Sequence, residues 1–335
     1  MPRIEGERWR RRLRELGRLR PGLRIDRDGE WIFLPVTETV GPAPVGQWVE
    51  HDFEPRAAES PGGYRERLSD SVLAAGAPPR SFDVIGEIVI LRLPATLKER
   101  APEVGRALLD FVPGARAVAV DRGVRGPLRL RDLQIIAGEG PLRTVHRENG
   151  LEFAVDLERA YFSPRLAREH DRVARAARPG ERVLDLCCGV GPFALTLASR
   201  TPSLRVTAVD LNPEAIVLLR ENLHRLQLEG RIEAECAEAE EHLRRSGPYD
   251  RAILNLPHAG APLLGPLVDR IVPGGYVHYY EIVERAEAST RRKGLVQGLP
   301  PRGTWQLAEE HIVHEYSPSA DLRGYTLSRS PASGD

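Results

Sequence analysis

The chain is predicted to fold as an α/β protein: a mostly parallel, doubly wound sheet preceded by a smaller α/β domain and a small N-terminal domain. Three observations predict this. From about residue 165 onward, helical and β-branched segments alternate as in a parallel sheet covered on both faces. Residues 183–193 read Val-Leu-Asp-Leu-Cys-Cys-Gly-Val-Gly-Pro-Phe, an apolar strand entering a glycine turn and then a helix. In open α/β sheets ligands sit at such carboxyl-end turns. Upstream, the β-branched block 84–91 announces a separate sheet.

In chain order, Trp9, Leu13 and Leu16 recur at helical spacing among arginines, which predicts a basic amphipathic helix over 5–19. Residues 31–35 read as a strand, and 53–80, rich in Pro, Gly, Ala and Glu, as a linker. Residues 84–91 are expected to be one buried strand, 96–111 a helix, and 117–120, 130–137 and 151–155 further strands. The expected domains are therefore 1–75, 76–160 and 161–335. In the last, helices are expected at 165–177, 192–200 and 213–226. Strands are expected at 182–186, 204–209, 232–234, 249–254, 276–282 and 312–316.

Composition narrows the function classes. The 335 residues carry 48 basic and 48 acidic side chains, so any contact with nucleic acid must come from a local basic surface. Nearly all the cations are arginines, which suits phosphates and base edges but also follows from a GC-rich codon supply. Three cysteines without metal-ligand spacing give neither a disulfide framework nor a zinc site, and point to a cytoplasmic protein. No signal peptide and no apolar run of about 18 residues is present, so no membrane association is expected.

The turn after the first strand has Gly189 and Gly191, without GxGxxG, so a pyrophosphate cradle is poorly supported. Asp210 ends the second strand, where a carboxylate can accept both ribose hydroxyls. Asp185 and Asp210, with no Walker lysine, fit the cationic S-adenosyl-L-methionine (AdoMet) better than ATP or NADP. Glu238, after the third strand, is the candidate adenine-side acid. Asn255-Leu256-Pro257 ends the fourth strand, and an Asn amide there can match a nucleobase edge.

Six ordered landmarks then stand in the chain: residues 80–86; Ile136-Ala137-Gly138-Glu139 with 144–150; Tyr161-Phe162-Ser163-Pro164-Arg165-Leu166; the Gly-Val-Gly-Pro-Phe turn; Asp210-Leu211-Asn212-Pro213; and Asn255-Leu256-Pro257. Over 81–318 the chain resembles the archaeal and eukaryotic tRNA (guanine-37-N1) methyltransferases, and 1–75 loosely resembles their tRNA-binding N-terminal domain. The resemblance implies a class I, Rossmann-like AdoMet methyltransferase domain acting on the anticodon loop of tRNA. It implies Glu169 as general base, its pKa raised by partial burial, and Arg131 as stabiliser of O6, with Arg129 in reserve. Asn255 is expected to hold the base edge, with Tyr161 and Pro257 beside it. Arg165, His170 and Leu211 are expected to join Asp185, Gly189, Gly191, Asp210, Glu238 and Asn255 around AdoMet.

Two positions depart from the family: Cys187-Cys188 replaces a frequent Phe-Ala, and Glu238 an Asp. The rival readings are a wyosine-pathway tRNA aminocarboxypropyltransferase, a dual methylase of a wyosine intermediate, a small-molecule methyltransferase, and a non-catalytic tRNA-binding protein. The aminocarboxypropyl family typically lacks Asn-Leu-Pro and the Arg-Leu after Ser-Pro. A monomer without an obligate protein partner is expected, because one chain holds every residue the resemblance calls for.

Overall fold

The structure is a computed structural model. It describes residues 63–299 and 304–331 continuously, together with 5, 9, 10, 12, 13, 16, 18–20, 23, 25–28, 31–37 and 46–53. Packing divides the chain into Met1–Leu68 and Ser69–Asp335. In the first unit β1 (Asp26–Asp28) pairs antiparallel with β2 (Trp31–Phe33), and His51 stacks on Phe33 with ring centroids 4.3 Å apart. Of the helix expected over 5–19, Trp9, Arg10, Arg12 and Leu13 are helical, and about half of the span lies outside the described residues. The expected linker 53–80 also lies partly outside them, but it contains a short 3-10 turn, Tyr64–Arg67, and α1 (Asp70–Ala75).

The second unit begins with β3 (Asp83–Ile85), β4 (Ile88–Leu91), α2 (Ala101–Phe111), β5 (Ala117–Arg125) and β6 (Leu130–Gly138). They form a four-stranded sheet in the order β3-β4-β5-β6 in which only β4 and β5 run parallel. The single strand expected over 84–91 is thus corrected to a hairpin. Gly86 reverses the chain at φ +55°, and a side chain there would lie 2.5 Å from the carbonyl oxygen of Val145. A second hairpin follows, β7 (Arg143–Glu148) with β8 (Leu151–Asp156).

The remaining elements are α3 (Ala167–Ala176), β9 (Arg182–Leu186), α4 (Pro192–Arg200), β10 (Arg205–Asp210), α5 (Pro213–Leu226), β11 (Ile232–Cys236), α6 (Ala239–Arg245), β12 (Tyr249–Leu254), α7 (Ala261–Val268), β13 (Ile271–Glu284), α8 (Ala288–Gln297), β14 (Trp305–Glu315) and β15 (Ala320–Arg329). Their sheet has seven strands in the order β11-β10-β9-β12-β13-β15-β14. The first five run parallel, and β15 is antiparallel to both β13 and β14. The order reverses between β9 and β12, so the carboxyl ends of these two strands open the crevice in which such sheets take ligands. Among the described residues no helix is long and apolar enough to cross a membrane.

One apolar core joins the smaller sheet and hairpin to the larger sheet: Ile85, Ile88, Phe153 and Val155 are buried in the same cluster as Phe193, Ile253 and Tyr280. Two buried polar residues lock this arrangement. Asn222 of α5 mimics a strand neighbour for β8, accepting from Ala154 N at 2.6 Å and donating to Ala154 O at 3.1 Å. Arg251 of β12, 1% exposed, donates to Glu181 through Nε at 2.8 Å and to the last turn of α3 through Ala176 O at 2.8 Å. The first bond docks the hairpin, and the second fixes the end of the helix that carries Glu169.

Asn222→Leu removes both bonds to Ala154 while filling similar volume. It is expected to lower the unfolding free energy by about 2–4 kcal/mol, the cost of two buried backbone groups without partners. Urea titration measures this, and a loss below about 0.5 kcal/mol, the size of an ordinary surface change, would show that the hairpin docks by apolar packing alone.

Candidate active site

The turn between β9 and α4 is built for close approach. Gly189 and Gly191 take φ +57° and +86°, and a methyl group on Gly191 would lie 2.4 Å from Leu219 Cδ1. Cys187 adopts φ +71° in the same turn. Burial first, and the nearby Asp210 and Asp185 charges second, push its thiol up to about 12. The amides of Cys187 and Cys188 both donate to Val209 O, at 2.8 and 2.9 Å, so the turn is sewn to the neighbouring strand.

Asp210, at the end of β10, accepts from Gly189 N at 2.7 Å and from Asn212 N at 2.9 Å. Burial raises its pKa, opposed by these two amides. Asp185 is fully buried; one oxygen accepts from Ala194 N at 3.1 Å and the other, Oδ1, has no partner. Burial pushes its carboxyl up to about 7, opposed by the Ala194 amide and reinforced by Asp210. In the neighbouring strand Asn255 follows Leu254, which pairs with Leu186, and its Oδ1 is likewise buried without a partner. Two unfilled acceptors and two carboxylates at one crevice suit a ligand that brings cationic and N–H groups, as AdoMet does, and repel phosphate. Leu211, 46% exposed, and the exposed Glu238 border the same strand ends.

Glu169, on α3, is 4% exposed. Its carboxylate accepts from Tyr280 Oη at 2.6 Å, from Arg172 Nη2 at 2.6 Å and from His311 Nε2 at 2.9 Å. Tyr280 directly follows Tyr279, the partner of Leu254 on β12, and its ring centroid is 5.7 Å from that of Phe193 after the glycine turn. Through Tyr280 the carboxylate is tied to the strand beside β12 and to the ring that follows the glycine turn. The expected rise of its pKa is corrected. Burial does push it up, but the bonds from His311, Arg172 and Tyr280 and the Arg172 charge together bring it down to about 2. Tyr280, Arg172 and His311 were not anticipated as functional, since their strands and helix carry no motif around them.

The arginines of the smaller sheet divide. Arg131 is 7% exposed, donates to Asp121 Oδ2 and to Phe162 O, each at 3.0 Å, and lies 5.2 Å from the Tyr161 ring centroid. Its Nε is buried without a partner. The carbonyl of Tyr161 is 3.5 Å from where a Cβ on Gly189 would be, so this arginine is linked to the glycine turn through one residue. Arg129 occupies the tip of the β5–β6 hairpin at φ +53°. Its charge helps lower the pKa of His258, after burial, which puts it beside the loop of Asn255 and Pro257. Tyr161 is 43% exposed and Pro257 half-buried.

Arg165 and His170 have other partners in this state. Arg165 Nε donates to Asp83 Oδ1 at 2.9 Å. His170, 1% exposed, binds Glu148 through Nδ1, meets Phe193 edge-on at 4.4 Å, and leaves Nε2 buried without a partner.

Asp185 yields a pH prediction. A buried acid whose folded pKa is raised keeps its stability below the unfolded value and loses it as pH rises through 7. Asp185→Asn is therefore expected to stabilise the free protein by on the order of a few kcal/mol at pH 8, with the gain vanishing toward pH 4. The same change is expected to weaken AdoMet binding in calorimetry; a gain independent of pH would contradict the assignment of burial as its cause.

Residues 144–295 match the TRM5/TYW2 methyltransferase domain, 64–141 the TYW2 N-terminal domain and 1–43 the tRNA methyltransferase 5 N-terminal domain. A relative from Pyrococcus abyssi, tRNA (guanine(37)-N(1))-methyltransferase Trm5b, is 38% identical over 281 residues, 84% of this chain and 82% of its own. The crystal structure of Trm5b from Pyrococcus abyssi is similar with a TM-score of 0.72 at 33% identity, over 98% of both chains. The complex structure of aTrm5 and tRNALeu gives 0.69 at 25% identity, again over 98% of both. The crevice, its acceptor-lined turn and these matches together place the chain in the TRM5/TYW2 family of AdoMet-dependent methyltransferases.

Proposed function

We propose that this protein methylates N1 of guanine 37 in tRNA. The observation that carries the reading is the buried Glu169 carboxylate, hydrogen-bonded by Tyr280 of the strand that pairs with β12. The substrate comes from the relatives: Trm5b is named for guanine 37 N1, and aTrm5 is found in complex with tRNALeu.

Bound AdoMet supplies an electrophilic methyl group. Asp210 would hold the ribose hydroxyls; Asp185 and Asn255 would accept from the amino groups; Gly189 and Gly191 would let the backbone approach. Leu211 and Glu238 would flank the adenine, with Arg165 and His170 completing the site after rearrangement. Guanine N1 carries a proton, so its electron pair becomes available only as that proton leaves. Glu169 would take it on a carboxylate oxygen, the pair left on N1 would form the new N–CH3 bond, and the S–CH3 bond would break with its electron pair returning to sulfur. Between loss of the proton and completion of the N–CH3 bond negative charge builds on O6, where the unspent Nε–H of Arg131 could receive it. Asn255 would hold the base edge, with Tyr161, Arg129 and Pro257 around it. The purine has to leave its stack to enter such a crevice.

A carboxylate held at about 2 is a weak base. An entering purine that takes the place of one donor leaves the burial effect less opposed, so Glu169 gains basicity as its substrate arrives. A second reading has its own support: residues 64–141 match a TYW2 N-terminal domain, which favours aminocarboxypropyl transfer from AdoMet.

Labelled AdoMet and unmodified tRNA transcripts bearing guanine or adenine at position 37 separate the two readings. N1-methylguanosine is expected by nucleoside mass spectrometry, with guanine only; an aminocarboxypropyl nucleoside or no product would refute it. Glu169→Gln is expected to slow methyl transfer by about 10²–10⁴-fold, the range for loss of a general base, with AdoMet affinity retained.

A further inference from the structure

The donors around Glu169 are arranged by the antiparallel end of the sheet. Tyr280 on β13, Gly324 on β15 and His311 on β14 form one rung across three strands. Tyr280 and His311 both hydrogen-bond the Glu169 carboxylate, one to each oxygen, at 2.6 and 2.9 Å. Between them stands a residue with no side chain. A Cβ on Gly324 would lie 2.7 Å from His311 Cε1, 2.9 Å from His311 Nε2 and 3.2 Å from Tyr280 Cε1. A glycine in a strand interior weakens the strand and here opens a close approach for two rings. His311 is 24% exposed, and its Nδ1 is buried without a hydrogen bond, 3.8 Å from Glu309 Oε1.

We propose that His311, seated on Gly324, is a positioning residue that fixes the orientation and the charge of the Glu169 carboxylate for methyl transfer. The proposal rests on the reading of Glu169 as the proton acceptor. Every charged or titratable group facing that carboxylate has a defined place. Arg172 comes from its own helix and also binds Glu309 through Nη1 at 2.8 Å. Tyr280 and the fully buried His278, whose titration feels the Glu169 charge, come from β13. His311 and Glu309 come from β14. Among the two neutral-capable donors, the Tyr280 hydroxyl is buried and its pKa lies well above the usual value, so it does not change charge near neutrality. His311 is the donor from the sheet edge that can be removed without unpairing the core of the sheet.

The sign follows from the donor count. Taking away the Nε2–H bond leaves burial less opposed, so Glu169 becomes harder to ionise in the free enzyme. In His311→Ala the acid limb of kcat/KM for tRNA is expected to move to higher pH, lowering kcat/KM about ten-fold at the acid end for each unit of movement. His311→Gln, whose amide can donate in the same direction, is expected to return most of the loss. AdoMet affinity is expected to stay unchanged in both. Gly324→Ala, which displaces the ring from behind and touches no substrate, is expected to move the limb the same way, and serves if His311→Ala does not fold. A profile in His311→Ala that superimposes on that of the wild type overturns the proposal, as does an equal loss at every pH with weakened AdoMet binding. An active Glu169→Gln enzyme would instead signal failure of the underlying reading.

Discussion

A carboxylate taken out of water stays ionised only when enough donors replace its hydration. Glu169 meets this condition with donors from one helix and two strands, and the architecture around it serves to bring them together. The helix α3 is held at its far end by Arg251, whose guanidinium spans Glu181, His278 and Ala176 O. The strands β13 and β14 reach it across Gly324. Moving either strand would remove a donor and leave Arg172 of the same helix as the remaining partner of the buried charge.

The opposite wall of the crevice has the reverse character. Asp185 and Asn255 present oxygen atoms with nothing bound to them, and Asp210 is raised in pKa by its burial. One wall is saturated with donors and the other is short of them. Continuity of the core between the smaller sheet and the larger one then matters, because Arg131 is carried by the smaller sheet and reaches the glycine turn only through Tyr161 and Phe162.

Much of the larger sheet was legible in the sequence. Arg182–Leu186, Pro192–Arg200, Pro213–Leu226 and Tyr249–Leu254 match the expected spans because each has an uninterrupted apolar period bounded by Gly, Pro or Asn. Elsewhere local pattern misled or was silent. Residues 84–91 looked like one strand, since β-branched residues flank Gly86 on both sides; only the left-handed backbone of that glycine reveals the turn. Strand β15 carries a glycine at its centre, α7 contains Pro266, and β7 alternates charged residues with an exposed Val145, so none announced itself. The strand ends that carry Gly189, Gly191, Asp210 and Asn255 were readable. The ionisation state of Glu169 was not, because its partners lie 111 and 142 positions away in sequence and depend on antiparallel register.

Adjacent thiols in an enzyme that uses an alkylating cofactor pose a chemical hazard, since sulfur is a better nucleophile toward a sulfonium methyl than any nitrogen of the chain. The nucleophile is the thiolate, and at Cys187 burial beside two carboxylates pushes the thiol up to about 12. At neutral pH the protonated thiol therefore predominates. Burial and the two acids of this turn keep the Cys187 sulfur protonated, and a protonated thiol is a poor nucleophile.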